Sequence, residues 1–533
     1  MTLPDFDVLV VGSGPAGVAA AFPLIEAGWR VAMVDGGAQS ETDVPDGEYL
    51  GLRATDPLQA RWLLGADLHA LRAAEASSPK FRAATLAFAF RDFAAANRIV
   101  AERFALAGSM AVGGLSNAWG CGVTRFAASE WGDVSIDARE LDAAYASVAA
   151  RVGLSGAADD DLATFFGVDD LARGAIPLDR LHAWLAGRYA RSRRAATADG
   201  FRMGRARLAV LAQDAPDGRL GCDARGLCLW GCPRRAMYSS RYDLASLRRH
   251  AGFVHVPGLI VERVVRDGGA WRAHARGPQG GPETVAARHV VLAAGAIAST
   301  AIAMRSLPGF RAARLLHLPM AAFALWLPKF TAAHAVPGPA TAQLAFTLDG
   351  DAPQEVCGYT FSTHGLPMTE FLRHAPLSVA GAAPLLRALL PSCIVANCFL
   401  PARLTRSRVE LRDDGALCVT GGEAEDAAEF GERVRARLAA AFAASGARML
   451  PGSFRRGAAG ADVHYAGTMP MRASPRPGEC DADGELSGLE GVYAADAAVL
   501  PTLPAKSHTL AMMANAHRIG ARLARRLATT LPC

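Results

Sequence analysis

Residues 7–17 read DVLVVGSGPAG, and this stretch decides the fold. Its apolar, β-branched run is typical of a buried parallel strand. The glycines that follow, Gly12, Gly14 and Gly17, have G-x-G-x-x-G spacing. A helical segment, VAAAFPLIEAG, then leads into WRVAMVD, which ends at Asp35. This strand–turn–helix–strand order is the context that a dinucleotide-binding fingerprint requires.

Each residue type in this motif has a physical reason. Gly12 permits the tight turn, Gly14 lets the backbone approach a pyrophosphate, and Gly17 lets helix and strand pack closely. The first helical turn, which contains Ala16, offers amide donors and the positive end of the helix dipole. Asp35 can accept hydrogen bonds from ribose hydroxyls. The motif does not separate NAD from FAD, and its alternative is a glycine-rich turn without a ligand.

Length and composition restrict the class of protein. The 533 residues are enough for two or three domains, and 51% of them are hydrophobic. A formal charge of +5 on so long a chain gives no argument for nucleic acid binding. The N-terminus lacks the features of a secretory signal, and no apolar stretch is long enough for a transmembrane segment. We therefore expect a cytoplasmic protein whose ten cysteines are mostly reduced.

A second glycine cluster, GSMAVGGLSNAWGCG, occupies residues 108–122. Gly113 and Gly114 give an adaptable backbone, and Ser116 and Asn117 add hydrogen-bonding groups. Such a loop could wrap a flat, extended ligand, although an ordinary surface loop is the alternative. The tryptophan inside the cluster favours the ligand.

Two later segments repeat the strand–turn–helix pattern. In residues 288–304 a strand, a small-residue turn at Gly295 and a helix start follow one another, which suits another contact to a nucleotide. In residues 488–527 a strand leads to Asp496, and an amphipathic helix begins at about Thr509. We expect segments from both ends of the chain to meet on one ligand.

The middle of the chain has a different pattern. Residues 310–460 contain several predicted strands and a hairpin that turns at Asp414–Gly415. A predicted helix follows, and four apolar residues share one of its faces. They are Phe430, Val434, Leu438 and Phe442.

The order of the motifs resembles the glucose–methanol–choline (GMC) family of flavoprotein oxidoreductases. The matching segments are DVLVVGSGPAG, GGLSNAWG, VVLAAGAIAST, H-x-x-GTMPM and VYAADAAVLPTLPA. The resemblance implies an α/β protein with FAD on a Rossmann-like domain that is discontinuous in sequence. It also implies a substrate domain with an antiparallel sheet backed by helices. We assign residues 1–130, 200–310 and 461–533 to the FAD-binding domain, and residues 131–199 and 311–460 to the substrate or cap domain.

The resemblance also implies the catalytic residues. His464 would lie beside the flavin and take the hydroxyl proton while a hydride leaves for flavin N5. Imidazole suits this because its ordinary pKa is about 6.5, although a core histidine is the alternative reading of the residue alone. The family's second group is Asn or His after a PT turn. Here Ser507 falls at that position, with His508 beside it. Ser507 could equally be a helix N-cap and His508 a helix-start residue.

Three cysteines form a further pattern. Cys222, Cys228 and Cys232 have C-x5-C-x3-C spacing and could converge on iron. The loop is similar to that of the flavin subunits of bacterial FAD-dependent glucose and sugar-acid dehydrogenases. This implies an iron–sulfur cluster that passes electrons to an acceptor protein. The alternative is a loop of reduced structural cysteines. Neither a [4Fe–4S] cluster nor a zinc site has an evident fourth ligand in the sequence.

These observations together predict an FAD-dependent enzyme that oxidises a CH–OH group of a small alcohol or sugar-like molecule. The cysteine loop favours a dehydrogenase over an oxidase that uses O2. The alternatives are a flavin-containing lyase of the same fold, a non-catalytic flavoprotein, and a biosynthetic flavoprotein that depends on a partner.

Overall fold

A computed structural model describes residues 6–73, 78–157, 159–375 and 377–530, which form a mixed α/β structure. The strands, in chain order, are β1 Phe6–Val11, β2 Val31–Asp35, β3 Ile99–Glu102, β4 Phe201–Arg205, β5 Phe253–Pro257, β6 Ile260–Asp267, β7 Ala270–Arg276, β8 Pro282–Leu292, β9 Ala312–Arg314, β10 Met320–Trp326, β11 Leu344–Leu348, β12 Val356–Ser362, β13 Cys393–Phe399, β14 Arg408–Leu411, β15 Leu417–Thr420, β16 Arg448–Met449, β17 Arg455–Arg456 and β18 Val492–Ala494. The helices are α1 Pro15–Glu26, α2 Tyr49–Thr55, α3 Gln59–Leu64, α4 His69–Arg72, α5 Pro79–Arg82, α6 Phe93–Ala96, α7 Ala138–Val152, α8 Ala163–Phe166, α9 Arg180–Ala198, α10 Ser240–Leu247, α11 Ala296–Ser306, α12 Thr369–Leu372, α13 Val379–Leu389, α14 Ala427–Ala444 and α15 Thr509–Thr530.

The first sheet is built around the strand that opens the chain. Its strand order is β5-β2-β1-β8-β7-β6, and β18 also pairs with β8. Strands β5, β2, β1, β8 and β18 are parallel to one another, whereas β7 pairs antiparallel with β8, and β6 pairs antiparallel with β7. Every residue of β1 is buried, as expected for a parallel strand that is covered on both faces. The predicted nucleotide-binding fold of this region is confirmed.

The two ends of the described chain meet in this layer. Strand β18 joins the sheet beside β8, and α15 packs along α1. A Cβ atom at Gly520 of α15 would lie 2.2 Å from the carbonyl oxygen of Ala20 in α1, so only glycine allows this approach. The two end segments therefore come together as expected, while their meeting on one ligand stays a prediction.

A second, antiparallel sheet has the order β16-β10-β13-β12-β11-β4, with β17 also paired to β10. Helix α14 covers one face, as the sequence predicts. Its Phe442 ring lies 5.3 Å from both Phe201 and Phe346, measured between ring centroids. Strand β4 belongs to this sheet, although it falls within the range 200–310 that the sequence analysis gives to the FAD-binding domain.

A small third sheet has the order β3-β15-β14-β9. Strands β14 and β15 form the predicted hairpin, and its Gly415 has a φ of +78°. This positive φ explains the glycine, because other residues adopt it only with strain.

Candidate active site

One cavity of about 560 Å³ lies where the first two sheets meet. Its size is within the range of small-molecule and cofactor sites. Both ends of the chain and strands β10, β12 and β13 contribute to its wall. The predicted site residues on the wall are Gly12, Gly14, Ala16, Asp35, Gly114, Ser116, Cys228, Gly295, His464, Asp496, Ser507 and His508.

Three predicted cofactor residues lie behind the wall instead. A Cβ atom at Gly17 would sit 1.9 Å from the carbonyl oxygen of Gly12, so Gly17 serves close packing of helix on turn. The amide of Gly113 donates to Ser13 Oγ at 3.0 Å. The side-chain amide of Asn117 donates to two carbonyls of its own loop, at 3.0 and 2.8 Å. These residues brace the glycine loops.

The first two glycines of the fingerprint have different surroundings. Gly12 has a φ of +110°, and a Cβ atom there would lie 2.3 Å from the carbonyl oxygen of Ala293. At Gly14 a Cβ atom would meet no described atom within 4 Å, because the position opens into the cavity. No described side chain caps α1, so its first amides are available to an anionic group. This arrangement fits a pyrophosphate.

Asp35 lies at the end of β2 and is buried. Its carboxylate accepts a hydrogen bond from the Gly37 amide at 2.9 Å and lies 3.0 Å from His255 Nε2. Ser13 Oγ also donates to it. His255 was not among the predicted site residues. The sequence signal that could have found it is its position in β5, the strand that pairs with β2. The carboxylate borders the cavity and fits a ribose.

Asp496 joins two of the predicted segments. Its carboxylate accepts hydrogen bonds from the Gly295 amide at 2.9 Å, Ser299 Oγ at 2.5 Å and the Ala498 amide at 2.9 Å. Burial raises its pKa. The acidic residue therefore anchors the start of α11 to the segment after β18.

His464 lies on the cavity wall with a defined tautomer. Its Nδ1 lies 2.7 Å from the backbone carbonyl oxygen of Asp462. Because a carbonyl only accepts, Nδ1 carries the proton and Nε2 is the unprotonated nitrogen. The Phe399 ring contacts the imidazole edge-on, at 4.7 Å between centroids. Burial lowers the pKa of His464, although Asp462 opposes this effect, so the ring is neutral at pH 7.

His508 is the neighbour of His464, with 5.3 Å between ring centroids. Its Nδ1 is buried and has no hydrogen-bond partner among the residues that the structure describes. Burial, followed by repulsion from His464 when that ring is protonated, lowers the pKa of His508 to about 3. Ser507 instead directs its hydroxyl to Tyr359 Oη at 3.0 Å, and its carbonyl accepts from Thr124 at 3.0 Å. Of the two candidates, the structure places His508 beside His464.

The antiparallel sheet supplies wall residues that were not predicted from the sequence. The alternating residues Tyr359 and Phe361 of β12 border the cavity, as do Val395, Asn397 and Phe399 of β13. Alternation is the signal that could have found them, since every second strand residue faces one side. It could not show which face meets the cavity.

The cysteine loop lies next to the cavity, and Cys228 borders it. Burial, followed by the nearby Cys222 and Cys232 thiols, raises the pKa of Cys228 to about 12. The partly buried Lys80 lies near Cys121 and Cys228, and desolvation lowers its pKa. Within the described ranges, no group of three or more His, Cys, Asp or Glu side chains is arranged to hold a metal ion. The described residues therefore do not form a site that fits the predicted iron–sulfur cluster.

Two protein-family models match parts of this chain. A family model described as GMC oxidoreductase matches residues 421–516, and one described as FAD binding domain matches residues 7–60. The chain is therefore similar to GMC oxidoreductases over residues 421–516 and to FAD-binding domains over residues 7–60. The two models cover the glycine fingerprint and both histidines of the cavity, and the cofactor that they support is FAD.

Curated proteins similar to this chain are named as uncharacterized GMC-type oxidoreductases. Two of them, from Mycobacterium tuberculosis strains CDC 1551 / Oshkosh and ATCC 25618 / H37Rv, are each 26% identical over 328 residues. The match covers 58% of this chain and 51% of each relative. The chain thus spans about half the length of the curated relatives it matches.

Two solved structures share the fold over almost the whole chain. Pyridoxine 4-oxidase from Mesorbium loti has a TM-score of 0.60 and 17% identity, and covers 99% of this chain and 100% of its own. Formate oxidase from Aspergillus oryzae RIB40 has a TM-score of 0.64 and 11% identity, with 99% of each chain covered. At these identities the likeness shows the fold, namely a Rossmann-like FAD-binding domain and a substrate domain. Among the described residues, no helix combines the length and apolarity needed to cross a bilayer.

Proposed function

We propose that the protein oxidises a CH–OH group of a small molecule, with FAD as cofactor and His464 as the base. The observation that supports this proposal most directly is the tautomer of His464. Its Nδ1 is bonded to a backbone carbonyl, which leaves Nε2 without a hydrogen bond to the described residues, on the wall of the cavity that both chain ends form.

The side chains support a proton transfer at one defined atom. When bound, FAD supplies the hydride acceptor for the carbinol carbon. His464 Nε2 accepts the proton of the substrate hydroxyl, because burial keeps this ring neutral at pH 7. The hydrogen bond from Nδ1 to the Asp462 carbonyl fixes the ring orientation during the transfer.

His508 has a complementary role in the proposal. With a pKa of about 3 it stays neutral when the nearby His464 gains a proton. Two charged imidazoles 5.3 Å apart would repel each other in a buried site, so the proton stays on His464. The neutral His508 ring then hydrogen-bonds the substrate oxygen and holds it near Nε2 of His464.

The cavity wall suggests the substrate class. Phe361, Val395 and Phe399 are apolar, whereas Tyr359 and Asn397 can hydrogen-bond a second polar group of the substrate. We propose a small alcohol or sugar-like molecule in which an apolar part lies beside the carbinol carbon. The solved relatives named as oxidases acting on pyridoxine and formate also have small substrates.

The electron acceptor is a separate proposal. We propose a dehydrogenase that passes electrons to an acceptor protein. The iron–sulfur cluster predicted from Cys222, Cys228 and Cys232 has no step in this reaction, because the described residues do not form a site that fits it. Iron and sulfide analysis of protein purified without oxygen tests the cluster. Comparing the reoxidation rate of the reduced protein in O2 and with an artificial acceptor tests the acceptor.

The decisive experiment is anaerobic flavin reduction by a panel of alcohols and sugars. We expect His464→Ala to retain FAD but to slow reduction by about 10²- to 10⁴-fold, the usual effect of losing a general base. His250→Ala is the matched control, since His250 is an exposed histidine outside the cavity wall. Reduction of the His464→Ala protein at the wild-type rate would contradict the assignment, and a flavin that no alcohol reduces would contradict the reaction.

A further inference from the structure

A strained turn carries His464 into the cavity. Val463, the residue before it, has a φ of +61°, a conformation that is unfavourable for a β-branched side chain. Asp462 fixes this turn through two hydrogen bonds to His464. Its carboxylate Oδ1 accepts from the His464 amide at 2.8 Å, and its carbonyl accepts from His464 Nδ1 at 2.7 Å. The orientation of the imidazole therefore depends on where Asp462 sits.

Asp462 is itself held by groups from a distant part of the chain. His317 Nδ1 lies 3.1 Å from its Oδ2, and the Leu318 amide donates to its Oδ1 at 3.2 Å. The other ring nitrogen of His317 lies 3.1 Å from Ser407 Oγ. The side chains of Asp462 and His317 are each only 1% exposed. A buried carboxylate needs such partners, because an uncompensated buried charge is strongly unfavourable.

We infer that the three buried, hydrogen-bonded side chains of Ser407, His317 and Asp462 position His464 for proton transfer. His317 is a positioning residue and does not border the cavity. This inference deepens the proposed function and rests on His464 acting as the base. His317 holds the carboxylate, the carboxylate holds the strained turn, and the turn sets the direction of His464 Nε2.

The same three residue types also form hydrolase triads, but this group is not one. Ser407 is 1% exposed and does not border the cavity, so its hydroxyl cannot reach a substrate there. Its Oγ also accepts a hydrogen bond from the Gly422 amide at 3.1 Å. A nucleophile must be accessible to the substrate, and Ser407 is not. The three hydrogen-bonded residues therefore act only by holding Asp462.

Two conservative variants of His317 separate positioning from folding. In His317→Asn the amide nitrogen replaces Nδ1 and keeps the bond to Asp462, whereas in His317→Gln it lies near the Nε2 position and favours Ser407. We expect flavin reduction within about 3-fold of wild type for Asn, and slower by about 10- to 100-fold for Gln, because a small misplacement of a reacting group has effects of that size. FAD content and substrate KM should stay close to wild type in both.

The chain offers a matched control for loss of a buried histidine–aspartate pair. His182 Nδ1 lies 2.7 Å from Asp179 Oδ1, and both side chains are buried away from the cavity wall. His182→Gln should lower the melting temperature without slowing flavin reduction in the protein that remains folded. Equal slowing by His182→Gln and His317→Gln would overturn the inference, because the effect would then be general.

The outcomes also separate this inference from the proposed function. If His464→Ala slows flavin reduction but His317→Asn and His317→Gln have the same rate, only the positioning role is overturned. If His464→Ala reduces its flavin at the wild-type rate, the proposed base is wrong and the positioning role falls with it. Slow reduction in both His464→Ala and His317→Gln, with a wild-type rate in His317→Asn, supports both.

Discussion

Acid should destabilise the folded protein through His508, and the sign follows from its burial. The pKa of His508 is about 3 in the folded protein, compared with an ordinary value of about 6.5 when the chain is unfolded. Below pH 6.5 the unfolded chain therefore binds a proton that the folded chain does not bind. The contribution to stability is constant above pH 6.5 and is lost as the pH falls from about 6.5 towards 3.

The size of the effect follows from these two pKa values. At pH 5 nearly every unfolded chain carries the proton at this position, and almost no folded chain does. This difference lowers the free energy of unfolding by about 2 kcal/mol relative to pH 7. His508→Asn removes the titrating group and should remove this part of the acid sensitivity, while other buried histidines such as His517 act in both proteins.

Urea unfolding at pH 7 and pH 5 measures the effect. FAD should be saturating in every sample, because bound ligand adds to the stability of the folded state. We expect the wild-type protein to lose about 2 kcal/mol more than His508→Asn between the two pH values. His250→Ala, which removes an exposed histidine, should behave like wild type. An equal loss in the wild type and His508→Asn would refute the reasoning, because His508 would then not be a buried neutral group.

Two further predictions concern FAD binding. Gly14→Val should leave the melting temperature of the apoprotein unchanged, since its Cβ meets open space, but should weaken FAD binding by about 100-fold in a fluorescence titration. Gly17→Val is the control and should fail to fold, because its Cβ would lie 1.9 Å from a carbonyl oxygen. Normal FAD affinity in Gly14→Val would contradict the pyrophosphate assignment. Asp35→Asn should weaken FAD binding by about 10-fold, the value of one charge-assisted hydrogen bond, and an unchanged dissociation constant would exclude a ribose contact.

The sequence predicted those parts of the fold that depend on local patterns. The first strand, the glycine turn and α15 all follow from spacing within about twenty residues. Gly12 has a positive φ, which favours glycine whatever its distant neighbours are. The need for glycine at this position can therefore be predicted from a short motif. The meeting of the two chain ends was also predicted, because each end carries a strand–turn–helix pattern of the same kind.

Long-range partners could not be predicted in the same way. His317 and Asp462 lie on segments far apart in the chain, and nothing near either residue indicates the other. The choice between Ser507 and His508 depends on a one-residue shift that Tyr359 and Thr124 fix from other segments. Strand β4 was given to the FAD-binding domain because its partner β11 lies beyond any local pattern.

The parallel sheet has a consequence for biosynthesis. The segment after strand β18 and the start of α15 leave the ribosome long after the glycine turn, yet both border the same cavity as that turn. A nascent chain therefore has the glycine turn that we expect to bind the pyrophosphate before it has the imidazoles that border the same cavity. Stable flavin loading must await the late segment, so in an arrested-translation experiment the coenzyme should be retained only once residues through α15 are free of the exit tunnel.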